Sequence, residues 1–97
     1  MRIKHWQGYG QVTAEKVYST NVGGENVIVI KVSGNHEWGL HRDDRYDVAR
    51  WLLSKFVKEF RSGEKNYMDI TQMILEDSFE KSESGYTEVC TYHIKYR

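Results

Sequence analysis

The sequence predicts an α+β domain: a four-stranded antiparallel sheet in β-β-α-β-β order with one amphipathic helix packed on one face. Three observations carry this. The run Val27 to Val32 is apolar on both alternating faces, the pattern of a central strand covered on both sides. Tyr46, Ala49, Leu52, Leu53, Phe56, Val57 and Phe60 fall in one arc when placed at about 100° per residue, as on a helix lying against a sheet. Tyr86 to Arg97 alternates cleanly, with Tyr86, Cys90, Tyr92, Ile94 and Tyr96 on one side and Thr87, Val89, Thr91, His93, Lys95 and Arg97 on the other.

The elements follow in order. A short strand is allowed at residues 2–6. Tyr9 to Ser19, rich in Val, Thr and Tyr, reads as a strand and is joined to the 27–32 strand through a Gly-Gly loop at 21–26. Asp44 and Asp47 provide an N-cap oxygen and a first-turn carboxylate, and Gly63 supplies the stop, so the helix is expected over about 45–62. Met68 to Lys81 is a third strand with imperfect alternation, and Ser82-Glu83-Ser84-Gly85 is the turn into the fourth. One helix covers one face of such a sheet, which leaves the other for solvent, a partner protein or a second copy of the chain.

Ninety-seven residues fit a single domain spanning 1–97, long enough to bury one core. Fourteen basic and fourteen acidic side chains cancel, which argues against gripping nucleic acid through bulk charge. The balance is uneven, with ten basic and seven acidic residues over 1–62 and four and seven over 63–97. Cys90 is the lone cysteine, which excludes an internal disulfide and suits a reducing, cytoplasmic compartment. The longest apolar run is four residues, Val27 to Ile30, too short for a membrane span or signal peptide.

Candidate chemistry concentrates between the second strand and the helix, where His36, Glu37, Trp38 and His41 share one connection. The two imidazoles are five apart, not the four that puts a zinc-protease pair on one helical face, and Gly39 disfavours a helix there. A metal would have to recruit Asp43, Asp44 or His93. His41 with Glu37, and Arg42 for a phosphate, suits proton transfer in RNA cleavage, though such a trio is common on loops. No metal or cofactor is expected, and catalysis is the weaker reading.

Trp51 lies on the wheel nearly opposite the apolar arc, beside Asp47, Ser54, Lys55 and Lys58. An indole among charges suits an interface anchor, or stacking on a base with lysine on phosphate; the competing reading is cover by the 34–44 loop or Trp6. Glu76, Asp77 and Glu80 begin an acidic stretch reaching Glu83, either a docking patch or a solvated hairpin tip. Gly8-Tyr9-Gly10-Gln11-Val12 falls short of an RNA-recognition strand, since Gln11 and Ala14 stand where aromatics are needed.

Ile3 to Gly10 followed by Val12, together with Gly34-Asn35-His36-Glu37-Trp38-Gly39 and Tyr46-Asp47-Val48, resembles small anti-CRISPR proteins carried on mobile genetic elements of Gram-positive bacteria. The resemblance touches part of the chain, and no residue roles carry over. It implies a cofactor-free inhibitor in the bacterial host cytoplasm that binds a type II CRISPR effector nuclease and hinders its assembly with guide RNA or its access to DNA. An RNA-binding or RNA-cleaving protein acting on guide RNA, and a regulatory module of a mobile element, are the alternatives. On the inhibitor reading the docking residues are Trp51, Lys55, Lys58 and Asp47 on the helix, His36, Glu37, Trp38 and His41 in the loop, and Glu76, Asp77 and Glu80.

Overall fold

The computed structural model describes residues 2–5, 11–34, 45–83 and 85–97. They form strands β1 (Arg2–His5), β2 (Gln11–Val22) and β3 (Glu25–Gly34), helix α1 (Arg45–Phe56), a single helical turn α2 (Lys58–Arg61), a short 3-10 turn (Tyr67–Asp69), and strands β4 (Ile70–Ser82) and β5 (Gly85–Tyr96). The class is α+β. The sheet has five strands rather than four, all antiparallel, in the order β1-β2-β3-β5-β4. The additional strand is the amino-terminal segment, which pairs Ile3 with Ala14 at the β2 edge.

The first long hairpin turns on two glycines. Gly23 and Gly24 both have positive φ, 62° and 82°, as a two-residue type I′ turn requires, and this backbone twist matches that of the flanking strands. The expected six-residue loop at 21–26 is therefore mostly ladder: Asn21 pairs with Asn26, Val22 pairs with Glu25, and Asn21 Nδ2 donates to Asn26 Oδ1 at 2.8 Å. In the second hairpin Ser82 pairs with Gly85. A bulge between Lys16 and Tyr18 shifts the β2 register and leaves Val17 exposed.

Alternation then sorts the sheet. Ile28, Ile30 and Val32 of β3, Cys90, Tyr92, Ile94 and Tyr96 of β5, and Ala14 of β2 meet Ala49, Leu52, Leu53 and Val57 in one buried core. This is the burial that the helical arc and the β5 alternation imply, and Val29 and Val89 on the other face are buried as well. On the opposite side run Thr13, Glu15 and Tyr18, then Val29, Lys31 and Ser33, then Val89, Thr91, His93 and Lys95, then Gln72, Ile74, Glu76, Ser78 and Glu80, in register across four strands.

The expected rod over 45–62 is broken. Val57 has φ −123° and ψ 119°, extended backbone between α1 and α2, a conformation that β-branched side chains favour. The break leaves carbonyls at the end of α1 without helical partners, and Arg61 satisfies them: Nε donates to Ser54 O at 3.1 Å and Nη2 to Lys55 O at 2.9 Å. A cation at a helix carboxyl end also suits the dipole. Arg61→Ala is expected to lower stability by about 1 kcal/mol, the worth of a charge-assisted hydrogen bond at a solvated site. Arg61→Lys should recover less than half, because one ammonium cannot fork to two carbonyls; urea unfolding of the three proteins checks this. Gly63, with φ 85°, ends the helical region as its position suggests. The helix start sought at Asp44 lies outside the described residues.

Candidate functional site

The sheet-and-helix frame offers two surfaces. The first is a cleft of about 470 Å³ where α1, α2 and the 62–67 connection meet, lined by Arg50, Trp51, Phe60, Lys65 and Tyr67. Trp51 is half-buried and packs against the core, as does Phe60, while Tyr67 is 52% exposed. The break at Val57 makes this cleft. Nine residues on a straight helix turn through about 900°, which would set positions 51 and 60 on opposite sides of the rod. With the chain redirected at Val57, both rings line the same cavity.

Cations flank the rings. Arg50 sits 5.4 Å from the Tyr67 ring centre, Lys55 Nζ 5.9 Å from that of Trp51, and Lys65 Nζ 5.3 Å from that of Tyr96, within cation–π range. Phe60 meets Tyr96 edge to face, with centroids 5.2 Å apart. The connection holding Tyr67 is tightly bonded. Asn66 Oδ1 accepts from Met68 N at 2.9 Å and Asn66 N donates to Asp69 Oδ2 at 2.9 Å, a reciprocal capping box. Arg97 N donates to Asp69 O at 2.9 Å and Lys65 Nζ donates to Arg97 O.

Burial, with the Glu59 carboxylate adding to it, pushes the Tyr96 hydroxyl above its ordinary value of 10.0. The folded protein thus holds this proton more tightly than the unfolded chain. The resulting stabilisation is complete below pH 10 and is lost as pH rises from there through the higher folded value. Tyr96→Phe should remove that part of the alkaline decline, so the variant should gain unfolding free energy relative to wild type from pH 9 to pH 11 in urea titrations.

The second surface is the side of the sheet that no described helix covers, where Val29 and Val89 are nonetheless buried. There a groove of about 420 Å³ is lined by Tyr18, Val27, Ile74, Glu76, His93 and Lys95, among others. Tyr18 and Ile74 are 49% and 52% exposed. Polar and charged groups ring them in pairs: His93 Nε2 lies 3.2 Å from Glu76 Oε1, Lys95 Nζ lies 4.0 Å from Glu25 Oε1, and Lys31 bridges to Glu80.

These surfaces divide the residues picked out from sequence. Trp51, Lys55 and Lys58 lie on the helical side, with Lys55 and Lys58 exposed. Trp51 is not the solvent-facing indole of the helical wheel, since the core and Lys55 cover part of it. Asp47 is in the first turns of α1, its side chain outside those described. Glu76 and Glu80 lie on β4 at the second surface rather than at a hairpin tip, each against a base, and Asp77 alternates to the other side opposite Cys90. His36, Glu37, Trp38 and His41, with Arg42, Asp43 and Asp44, lie outside the described residues, so the metal and proton-transfer readings of that loop do as well. Among the described residues no three His, Cys, Asp or Glu side chains gather as a metal site would need, and no helix is long and apolar enough to cross a membrane.

Residue-by-residue reading missed Arg50, Phe60, Lys65 and Tyr67 because their meeting depends on the break at Val57. It missed the row Tyr18, Val29, His93 and Ile74 because that row exists only once β5 is inserted between β3 and β4. No family model matches the chain, and neither does any curated protein or solved structure.

Proposed function

We propose that this protein is a non-catalytic docking inhibitor of the anti-CRISPR kind, which binds a type II CRISPR effector nuclease and hinders its assembly with guide RNA or its access to DNA. The observation that supports this most directly is the sheet face that no described helix covers. Four strands of ten to thirteen residues, spaced about 4.8 Å apart and rising about 3.3 Å per residue, present about 700 Å², close to the roughly 800 Å² per partner of a standard interface. Exposed Tyr18 and Ile74 lie among the charged side chains of the face, the mixture of apolar and polar surface that non-obligate interfaces carry.

The charge suits the partner named by the resemblance. Among the described side chains on this face, Glu15, Glu25, Glu76 and Glu80 face Lys31 and Lys95, an acidic excess. An effector of this class holds its guide and target in a positively charged channel, which an acidic surface can occupy in place of nucleic acid. Trp51 and its lysines lie on the opposite side of the sheet, so one flat interface cannot engage both sets of residues, and the docking role falls to the sheet face.

The test is assembly of purified effector with guide RNA, followed by size-exclusion chromatography, with and without prior addition of this protein. Co-elution with the effector and loss of RNA loading is the expected result. Intact loading without co-elution sinks the proposal. Elution as a dimer of this chain, without effector binding, would make a second copy the occupant of the face.

A further inference from the structure

The cleft on the helical side has features that docking through the sheet does not use. Its walls are aromatic, with Trp51 and Phe60 held by the core and Tyr67 half-exposed. Its rim carries Arg50 and Lys65. Its shape is set in advance: Tyr67 stands on a connection closed by the Asn66 and Asp69 capping box, Arg97 donates to Met68 O at 3.3 Å and to Asp69 O, and Lys65 N donates to Glu59 O at 3.0 Å. A surface tyrosine on so bonded a segment loses little freedom when a ligand arrives, which favours binding.

We propose that this cleft binds a nucleotide, with the base stacked against the Trp51 and Tyr67 rings and the phosphate at Arg50 and Lys65. Three ligand classes can be weighed against the residues present. An apolar side chain would use the rings but gain nothing from the cationic rim. An acidic peptide would pair the cations and leave the aromatic walls without a planar partner. A nucleotide uses both, because every base has a flat π-face and every phosphate a negative charge. The volume of about 470 Å³ falls in the range of small-molecule sites, roughly 300–1,000 Å³. Net neutrality of the chain is no obstacle, since single-strand binding couples a local basic rim to stacking platforms.

Nucleotide chemistry reaches such a site from two sources, a free mononucleotide or a nucleotide within single-stranded RNA. Binding of a fluorescein-labelled mixed-sequence ten-nucleotide RNA, followed by anisotropy in low salt and competed with AMP, GMP, CMP and UMP, separates them. Competition by a mononucleotide identifies the free ligand; RNA binding without such competition identifies the strand. The dissociation constant is expected below about 100 µM for at least one probe. Tyr67→Ala should weaken it about tenfold or more and Tyr67→Phe should restore it, because stacking needs the ring and not the hydroxyl. Arg50→Ala should lower the slope of log affinity against log salt by about one phosphate contact.

Ile74→Arg, on the other side of the sheet, should leave binding by this cleft unweakened, and cooperative urea unfolding of each variant excludes a folding defect. Failure of every probe to bind below 1 mM, or affinity unchanged in both Tyr67→Ala and Arg50→Ala, overturns the assignment. The effector experiment reads a different surface, so either result stands without the other.

Discussion

Leu52→Ala is expected to lower stability by about 3 kcal/mol, within the range of 2–5 kcal/mol seen when a buried leucine is truncated and its cavity persists. Leu52 is fully buried where α1 meets the sheet, in the same cluster as Ile30, Tyr92 and Ile94. The helix makes one layer and the sheet the other, so neighbouring side chains cannot close the void without moving the whole of α1. In a domain of this size a loss of that order should lower the melting temperature by about 15 °C. Urea titrations should show an earlier midpoint at unchanged slope. Phe79→Ala, at a side chain 66% exposed, should change stability by less than about 0.5 kcal/mol. A Leu52→Ala loss below about 1 kcal/mol would mean that the helix does not seal the sheet.

The second large effect concerns docking. Ile74→Arg places a cation on the edge strand β4 of the face that no described helix covers, beside His93 of β5. Against a basic channel the new charge repels as well as removing apolar contact, so effector binding should weaken at least about thirtyfold, the equivalent of about 2 kcal/mol. Stability should fall by no more than about 1 kcal/mol, since Ile74 is half-exposed. Competition binding to purified effector measures the first and urea unfolding the second. Phe79→Ser belongs to the other register face and should leave binding within about twofold, a change smaller than about 0.5 kcal/mol. Equal binding by wild type and Ile74→Arg would remove the sheet face from the interaction.

Much of the frame can be read from residue order alone. The alternation of Cys90, Tyr92, Ile94 and Tyr96 against Val89, Thr91, His93 and Lys95 is local chemistry, as is the arc of Ala49, Leu52 and Leu53, and both describe the buried face correctly. Gly63 marks the helical stop for the same reason, a positive φ that glycine accepts without strain. The failures are where a local rule meets a tertiary one. Val57 satisfies the helical wheel yet adopts extended backbone, and both it and Phe60 still pack at the core. Gly23 and Gly24 read as a loose loop when counted by composition, and as a two-residue reversal once both φ values are known. Trp51 looks wet on a wheel that ignores the turn following it. For the candidate sites the deficit is greater, since neither the aromatic cleft nor the charged groove is contiguous in the chain.

The strand order also governs how the chain acquires its structure. β2 and β3 are joined through two glycines, and β4 and β5 reverse between Ser82 and Gly85, so each ribbon closes over a few residues, an event on the order of microseconds. The seam between them is different: Asn26 pairs with Tyr96 and Gly34 with Glu88, partners far apart in sequence with the whole helical segment in between. Zipping β3 to β5 closes that large loop before its contacts are gained. The central seam is therefore expected to be the slowest step of folding, and until it forms the inner edges of both ribbons stand unpaired and open to self-association.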